Sequence, residues 1–233
     1  MKNILFLCSL LALAVSCNKA VRTVPPEQRK QQQEFQAQQE AIDKLARATE
    51  EKFKKMSVPE LLVELERAAA NGREPFNAPA FREILTRKEA AEPLFRSIVT
   101  PSQKEYFKLM ALKKLAPASY AKIPAKQGAA ILTDALAKSV TFNAWGIPNQ
   151  YWESSAKAII DYGADAVPEL EKLLADQRPA PVWGSEEAMI YERYKFRVCD
   201  YAFALLNEIR RRKVELPVAP AERDALIASH KSV

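Results

Sequence analysis

The sequence predicts an all-α fold, and three observations carry this prediction. Helix starts are marked by capping and proline signals, as in Ser57-Val58-Pro59-Glu60, because the N–H groups of a first helical turn have no intrahelical partner. From residue 57 onward, apolar residues recur at helical spacing. No segment alternates polar and apolar residues as a half-buried strand does, and the chain of 233 residues holds only five glycines.

Residues 1–16 have the three parts of a secretory signal. Lys2 supplies the positive charge, residues 4–15 form an apolar run, and small residues precede Cys17. The apolar run is much shorter than the roughly 20 residues that a helix needs to cross a bilayer. The sequence therefore predicts a signal peptide that is removed, not a membrane-spanning helix.

The end of the signal, Leu13-Ala14-Val15-Ser16-Cys17, resembles the lipobox of bacterial lipoproteins, with Ala14 where that family usually has leucine. The resemblance implies that the Cys17 thiol receives a diacylglycerol and that the new amine is acylated with a fatty acid such as palmitate. Two acyl chains meet the condition for stable membrane attachment. Because Asn18 stands where some inner-membrane lipoproteins carry aspartate, the resemblance favours the outer membrane of a bacterial cell envelope. The alternative is a soluble secreted protein cut by the ordinary signal peptidase.

Two segments separate the signal from the main domain. Residues 17–26 lack apolar periodicity and end in Pro25-Pro26, which predicts a short lipidated tether. Residues 27–56 are rich in Gln, Glu, Lys and Ala and contain no Gly or Pro, which predicts a long polar helix. A thin apolar stripe along this helix suffices to lie against a domain or one partner helix. The stripe consists of Phe35, Ile42, Leu45, Phe53 and Met56.

Residues 57–213 repeat a pattern in which a proline-led helix is followed by a second apolar helix. Val58-Pro59-Glu60-Leu61 recurs as Val167-Pro168-Glu169-Leu170, and the residues around Pro93 keep the same apolar phase. The second helices are predicted at residues 81–85, 106–115, 152–162 and 201–209. Helix pairs that bury their apolar faces by stacking form a solenoid. Residues 214–233 are expected to form a C-terminal tail with a short helix.

One repeat carries a more specific signal. In residues 156–176, a helix of small and aliphatic residues ends at Gly163, and Ala166-Val167-Pro168 opens the next helix; this stretch resembles bacterial HEAT repeats. Gly163 is expected in a left-handed conformation, and Asp165 is expected to cap the next helix. The resemblance implies a HEAT-like helical-pair solenoid or an irregular right-handed α-α superhelix, which presents a curved surface to another macromolecule. The alternative is an irregular helical bundle.

Composition and motifs exclude several classes of function. The chain has one histidine, His230. Cys8 belongs to the signal and Cys17 to the lipid anchor, so Cys199 is the remaining thiol. One imidazole and one thiol are too few for a nitrogen or sulfur metal cluster. Phosphate-binding loops and nucleophile motifs do not occur, so we expect no catalytic residue and no cofactor. Cys199 lies in an apolar run and is expected to be buried. The net charge of +6 is mild, and in an envelope protein it predicts no nucleic-acid partner.

The candidate binding surface comes from two loops that interrupt the repeats. Residues 142–152 and 179–184 each contain Trp-Gly, and together they hold all three tryptophans of the chain. Aromatic residues concentrate at recognition hot spots, so these loops and the following helix predict a binding surface. Its candidate residues are Trp145, Tyr151, Trp183 and Tyr191. The alternative is that the loops fold back and bury their rings to seal the array.

Two functions of different class follow. The first is a lipid-anchored, non-catalytic scaffold of the bacterial cell envelope that binds a protein partner. The second is a cell-wall or glycan-binding module or hydrolase that uses the loop tryptophans and two nearby carboxylates, since glycoside hydrolysis needs only a suitably spaced pair of acids. The acids nearest to aromatic residues are Glu153, Asp161, Asp165, Glu186, Glu187 and Glu192.

Overall fold

The computed structural model describes residues 26–70, 74–99 and 103–230, and within them the protein is all-α. Residues 1–25, with the predicted signal, Cys17 and nearly all of the tether, lie outside the described residues. The α-helices are α1 (Pro26–Lys54), α2 (Val58–Ala70), α3 (Pro79–Ile84), α4 (Ala91–Ser97), α5 (Gln103–Leu115), α6 (Pro117–Tyr120), α7 (Ala125–Lys138), α8 (Ser154–Tyr162), α9 (Val167–Lys172), α10 (Ser185–Tyr194), α11 (Val198–Ile209) and α12 (Pro220–His230). Two short antiparallel strands, β1 (Gly146–Ile147) and β2 (Tyr151–Trp152), pair between α7 and α8. Turns of 3₁₀ helix lie at Pro75–Asn77, Lys88–Ala90, Gly163–Ala166 and Leu173–Ala175.

The long polar helix predicted from composition is α1. Contacts divide the chain into two compact units, Met1–Ala48 and Thr49–Val233, and α1 runs from the first into the second. In the first unit, Phe35 and Ile42 are exposed. In the second unit, Phe53 is buried, so the end of the apolar stripe belongs to the core. None of the helices in the described residues combines the length and the apolarity that a bilayer-spanning helix needs.

The second unit is built around two helices that are buried on nearly every side. α5 packs against α2 and α4 and also against α7, while α7 contacts α8 and α9. α11 packs against α8 and α9. α11 is apolar around much of its circumference, and α5 is apolar through its middle turns, where the buried Lys108 pairs with Glu105. Both helices therefore lie inside, where burying each large apolar side chain contributes about 1.5–3 kcal/mol. Their buried large residues include Phe107, Leu109, Met110 and Leu112 of α5, and Tyr201, Phe203, Leu205 and Leu206 of α11.

One bond of the predicted capping box is formed at the start of α2. Glu60 Oε2 accepts the backbone N–H of Ser57 at 2.7 Å, which is the reciprocal bond of a capping box. The Ser57 hydroxyl also donates to the same oxygen at 2.7 Å. The sequence therefore located this helix start correctly, because the signal involves only neighbouring residues.

Three local expectations around the later repeats need correction. Asp165 lies inside a 3₁₀ turn, and the residue before α9 is Ala166, which makes no side-chain cap bond. Gly163 has the expected positive φ of 57°, but its ψ of −128° is not the left-handed helical value. Trp152 belongs to β2 and not to a helix, because its loop doubles back and pairs Gly146 with Trp152 before α8 begins.

A glycine inside α7 has a packing reason. Gly128 lies in the helix interior, where glycine costs about 0.5–1 kcal/mol relative to alanine. A Cβ atom at this position would overlap Cζ and the hydroxyl oxygen of Tyr162 on α8. The Tyr162 ring lies 5.8 Å from the ring of Tyr120, measured between centroids, so a second ring restricts its movement. The missing side chain therefore makes room for Tyr162 between α7 and α8.

Gly128→Ala is expected to lower the free energy of unfolding by about 1–3 kcal/mol, although alanine is the better helix former. Urea denaturation followed by circular dichroism measures the change. In a Tyr162→Leu background the overlap with the tyrosine ring is gone, so the same substitution is expected to be neutral or stabilising. Equal destabilisation in both backgrounds would show that the overlap with Tyr162 is not the cause.

Candidate interaction surface

Trp145, the first of the predicted surface residues, is buried in the core. Its ring is 1% exposed and stacks on Tyr106, with the centroids 5.7 Å apart and the planes 12° from parallel. Its Nε1–H donates to Ser139 Oγ at 2.8 Å, so the indole has its hydrogen-bond partner inside the protein. For Trp145, the alternative is observed: its loop folds back and buries the ring. The structure therefore removes Trp145 from the candidate surface.

Trp183 has the opposite placement, with 66% of its surface exposed. Its backbone N–H donates to Asn143 Oδ1 at 2.9 Å, and its carbonyl oxygen accepts a bond from Asn143 Nδ2. Two residues earlier, Pro181 O accepts the backbone N–H of Phe142 at 2.8 Å. The backbone on both sides of the ring is thus held by hydrogen bonds while the indole faces solvent.

Tyr151, a residue of β2, forms a hydrogen bond to α10, the helix that follows Trp183. It is 41% exposed, and its hydroxyl donates to Glu187 Oε1 at 3.4 Å. Burial, and next the negative charges of Glu187 and Glu153, raise the pKa of Tyr151. A side chain at Gly184 would collide with Glu187 Oε2, so this carboxylate lies against the residue that follows Trp183. β2, the tryptophan loop and α10 therefore meet at Glu187.

Tyr191 is a packing residue of α10. It is half-buried against the core, and Lys195 Nζ lies 5.5 Å from the centroid of its ring. Burial, and then the phenols of Tyr151 and Tyr191, raise the pKa of the buried Tyr201. Of the four residues predicted from sequence, the structure thus brings Tyr151 and Trp183 to one exposed region, while Tyr191 packs on the core.

Two residues of this region were not predicted. Met189 is 73% exposed on α10, three residues after Glu186, a spacing that makes side chains neighbours on a helix. Asn143 holds the backbone of Trp183 from 40 positions away, and no local sequence pattern reports such a contact. The only signal in the sequence was the position of Asn143, a polar residue shortly before the Trp145-Gly146 turn. We call the following residues the Trp183 surface: Tyr151, Trp183, Glu186, Glu187 and Met189.

Two of the other candidate acids form ion pairs, and the Cys199 thiol is buried. Asp161 Oδ2 pairs with Lys113 Nζ at 2.8 Å, and Glu192 pairs with Lys195. Cys199 is fully buried, and burial followed by the charge of Asp200 raises the pKa of its thiol to about 12. A thiol with this pKa is protonated near neutral pH and is a poor nucleophile. Within the described ranges, no group of three or more His, Cys, Asp or Glu residues is placed to hold a metal ion.

A cleft of about 710 Å³ lies elsewhere, at the C-terminal end of α11. Its lining mixes both signs of charge, which gives it no clear preference for an ion. The residues that line it, none of which belongs to the Trp183 surface, are Asn149, Ala204, Asn207, Glu208, Arg211, Arg212, Lys213, Val214 and Glu215.

Comparisons with protein-family models, with curated proteins and with solved structures found no match to this chain. The chemistry of its own residues is therefore the basis for a function. The Trp183 surface offers an indole, a phenol and a thioether in contact with solvent, with carboxylates beside them. These groups suit binding by apolar, cation–π and ionic contacts.

Proposed function

We propose that the chain is a lipid-anchored, non-catalytic scaffold of the bacterial cell envelope, held at the outer membrane, whose HEAT-like helical unit presents the Trp183 surface to a protein partner. The observation that carries this proposal is the indole of Trp183, 66% exposed on a loop whose backbone is held by Asn143. The lipobox resemblance at Cys17 supports the anchor.

Energetic reasoning supports a binding role for Trp183. Removing an indole from water contributes substantially to binding, and tryptophan is enriched among interface hot spots. A loop that is ordered before binding loses less conformational entropy when the partner arrives. An exposed indole on a fixed loop therefore has a large binding contribution and a small ordering cost.

Cys17→Ser is expected to abolish fatty-acid labelling and to release the protein from membranes, because the variant has no thiol to receive the diacylglycerol. The test is growth of a bacterial host with labelled palmitate, followed by membrane fractionation and immunoblotting. Cys199→Ser is the matched control and is expected to keep both label and membrane attachment. A Cys17→Ser protein that still carries label and stays with the membrane would contradict the lipid anchor.

Photocrosslinking tests the proposed surface. With p-benzoylphenylalanine in place of Met189, irradiation of intact cells is expected to give a discrete adduct that is lost when Trp183 is also replaced by alanine. The same photoreactive residue in place of Val63, which is 57% exposed on α2, is the control and is expected to give none. Adducts of the same mass and yield at both positions, or an adduct that does not depend on Trp183, would contradict a partner at this surface.

A glycan ligand is the second candidate, favoured by one observation. Glu153 and Glu187 both act on the hydroxyl of the exposed Tyr151, so carboxylates and aromatic rings share one region, as they do in carbohydrate sites. Retention of the full chain on peptidoglycan or polysaccharide, abolished by Trp183→Ala, would favour this function. Crosslinked adducts that contain protein and withstand glycan-degrading enzymes would favour the scaffold.

A further inference from the structure

The charge around Trp183 is opposite to the charge of the chain. The chain carries a formal net charge of +6, whereas the acids of this region are Glu186 and Glu187, which follow Trp183 in the chain, and Glu153, whose charge reaches Tyr151. Within the part of the chain that the structure describes, none of these three carboxylates forms an ion pair with a lysine or an arginine. Most carboxylates of the neighbouring helices do have such a partner, as Asp161 has in Lys113 and Glu192 has in Lys195.

Contacts place the central carboxylate next to the aromatic groups. Glu187 Oε1 accepts from the hydroxyl of Tyr151, and Glu187 Oε2 lies against Gly184, which follows Trp183 in the chain. Its charge and that of Glu153 both reach the Tyr151 hydroxyl. A cation that contacts Glu187 therefore comes close to Tyr151 and to the loop that carries the indole.

The aromatic and apolar groups add a preference of their own. The face of an exposed indole attracts a guanidinium or ammonium group, and this cation–π attraction adds to an ion pair with a nearby carboxylate. Met189, 73% exposed on α10 and one turn from Glu186, offers an adaptable apolar contact at the edge of this surface. Anionic ligands such as phosphates and anionic lipid headgroups are repelled by the same carboxylates.

We propose that the Trp183 surface binds a segment of a partner protein in which an arginine or lysine side chain stands next to an apolar one, with the cation beside Glu187 and the Trp183 loop and the apolar side chain against the exposed rings of Trp183 and Tyr151. This proposal rests on the proposed scaffold function and names the chemistry of its partner. The unpaired carboxylates favour a partner segment that carries a positive charge. The exposed indole and thioether favour a segment that also carries an apolar side chain.

The test uses the mature lipidated chain in a zwitterionic detergent, with its tryptophan indoles labelled with ¹⁵N. The three indole N–H signals are assigned with Trp→Phe variants, and the probe is a capped peptide of alternating leucine and arginine. We expect a saturable shift of the Trp183 signal, while the buried Trp145 signal stays unchanged. A peptide of alternating leucine and glutamate is expected to give no shift.

Variants test which side chains hold the cation. Glu187→Gln is expected to weaken binding of the arginine peptide about threefold or more. Trp183→Leu, measured by isothermal titration calorimetry because it lacks the reporter indole, is expected to weaken it about tenfold. Glu222→Gln, a change at an exposed acid of α12, is the matched control and is expected to leave the affinity unchanged. Equal affinity of the wild-type chain and the Glu187→Gln variant would overturn the proposal, as would equal binding of the two peptides.

Three further outcomes distinguish this proposal from the one on which it rests. A Trp183-dependent photoadduct at position 189 together with no response to the arginine peptide would overturn the cationic partner while the scaffold function stands. A Trp183 shift that depends on the concentration of the chain alone would identify a second copy as the occupant and would overturn a separate partner protein. A response to soluble glycans but to neither peptide would overturn both proposals.

Discussion

Arg223→Ala is expected to lower the free energy of unfolding by about 3–5 kcal/mol, because the guanidinium is fully buried and its partners would be left without it. It donates to the carbonyl oxygens of Pro217 at 2.9 Å, Val218 at 2.7 Å and Tyr194 at 2.9 Å. Its Nε lies 3.1 Å from Oδ1 of the buried Asp200. One side chain of α12 thus binds the segment before it, the end of α10 and the start of α11.

Urea denaturation of the mature chain measures this loss. Arg82→Ala, a change at an exposed arginine of α3, is the matched control and is expected to stay within about 0.5 kcal/mol of wild type. Arg223→Lys keeps the charge but has a single nitrogen in place of a planar fork, so we expect a loss between those of the other two variants. If the two alanine variants lost the same free energy, the buried contacts of Arg223 would not be important for the stability of α12.

Trp145→Ala is expected to cost about 3–5 kcal/mol of unfolding free energy, the range for truncating a large buried aromatic residue. The substitution removes the stacking on Tyr106, leaves Ser139 without its indole donor and opens a cavity behind the loop. Trp183→Ala truncates the same kind of side chain at a position exposed to solvent. It is expected to change the free energy of unfolding by no more than about 0.5 kcal/mol.

The two tryptophan variants should therefore separate stability from binding. Denaturant unfolding of both variants measures the first property, and the yield of the photoadduct at position 189 measures the second. We expect Trp145→Ala to lower stability and Trp183→Ala to remove the adduct from an otherwise stable protein. A large loss of stability in the Trp183 variant would mean that its ring packs against the protein and is not available to a partner.

Much of the helical architecture could be predicted from sequence because its causes are local. The composition of residues 27–56 predicts a long helix, and α1 (Pro26–Lys54) is observed within two residues of both predicted ends. The Ser57 to Glu60 signal predicts the start of α2, since both partners lie in one turn. The apolar run before residue 209 predicts α11, because a helix that is apolar on most of its surface must be buried.

Predictions failed where the local pattern did not decide between two conformations. Trp145 and Trp183 both stand in Trp-Gly loops, yet one is buried against Tyr106 and the other is exposed beside Asn143. The expected cap at Asp165 was also absent, because a 3₁₀ turn carries the chain directly into α9. Residues far away in the chain decided between the two placements of the tryptophans, whereas the turn at Asp165 is local.

By itself, the sequence determined the all-α class, the long polar helix and the burial of the most apolar segments, because helix propensity, capping and apolar periodicity act between residues a few positions apart. Only the tertiary structure decided which tryptophan faces solvent and that Glu187 lies between Tyr151 and the Trp183 loop. It also decided that Arg223 joins α12 to α10 and α11. The physical reason is that exposure and charge pairing depend on residues far apart in the chain, whose positions follow from how the helices pack.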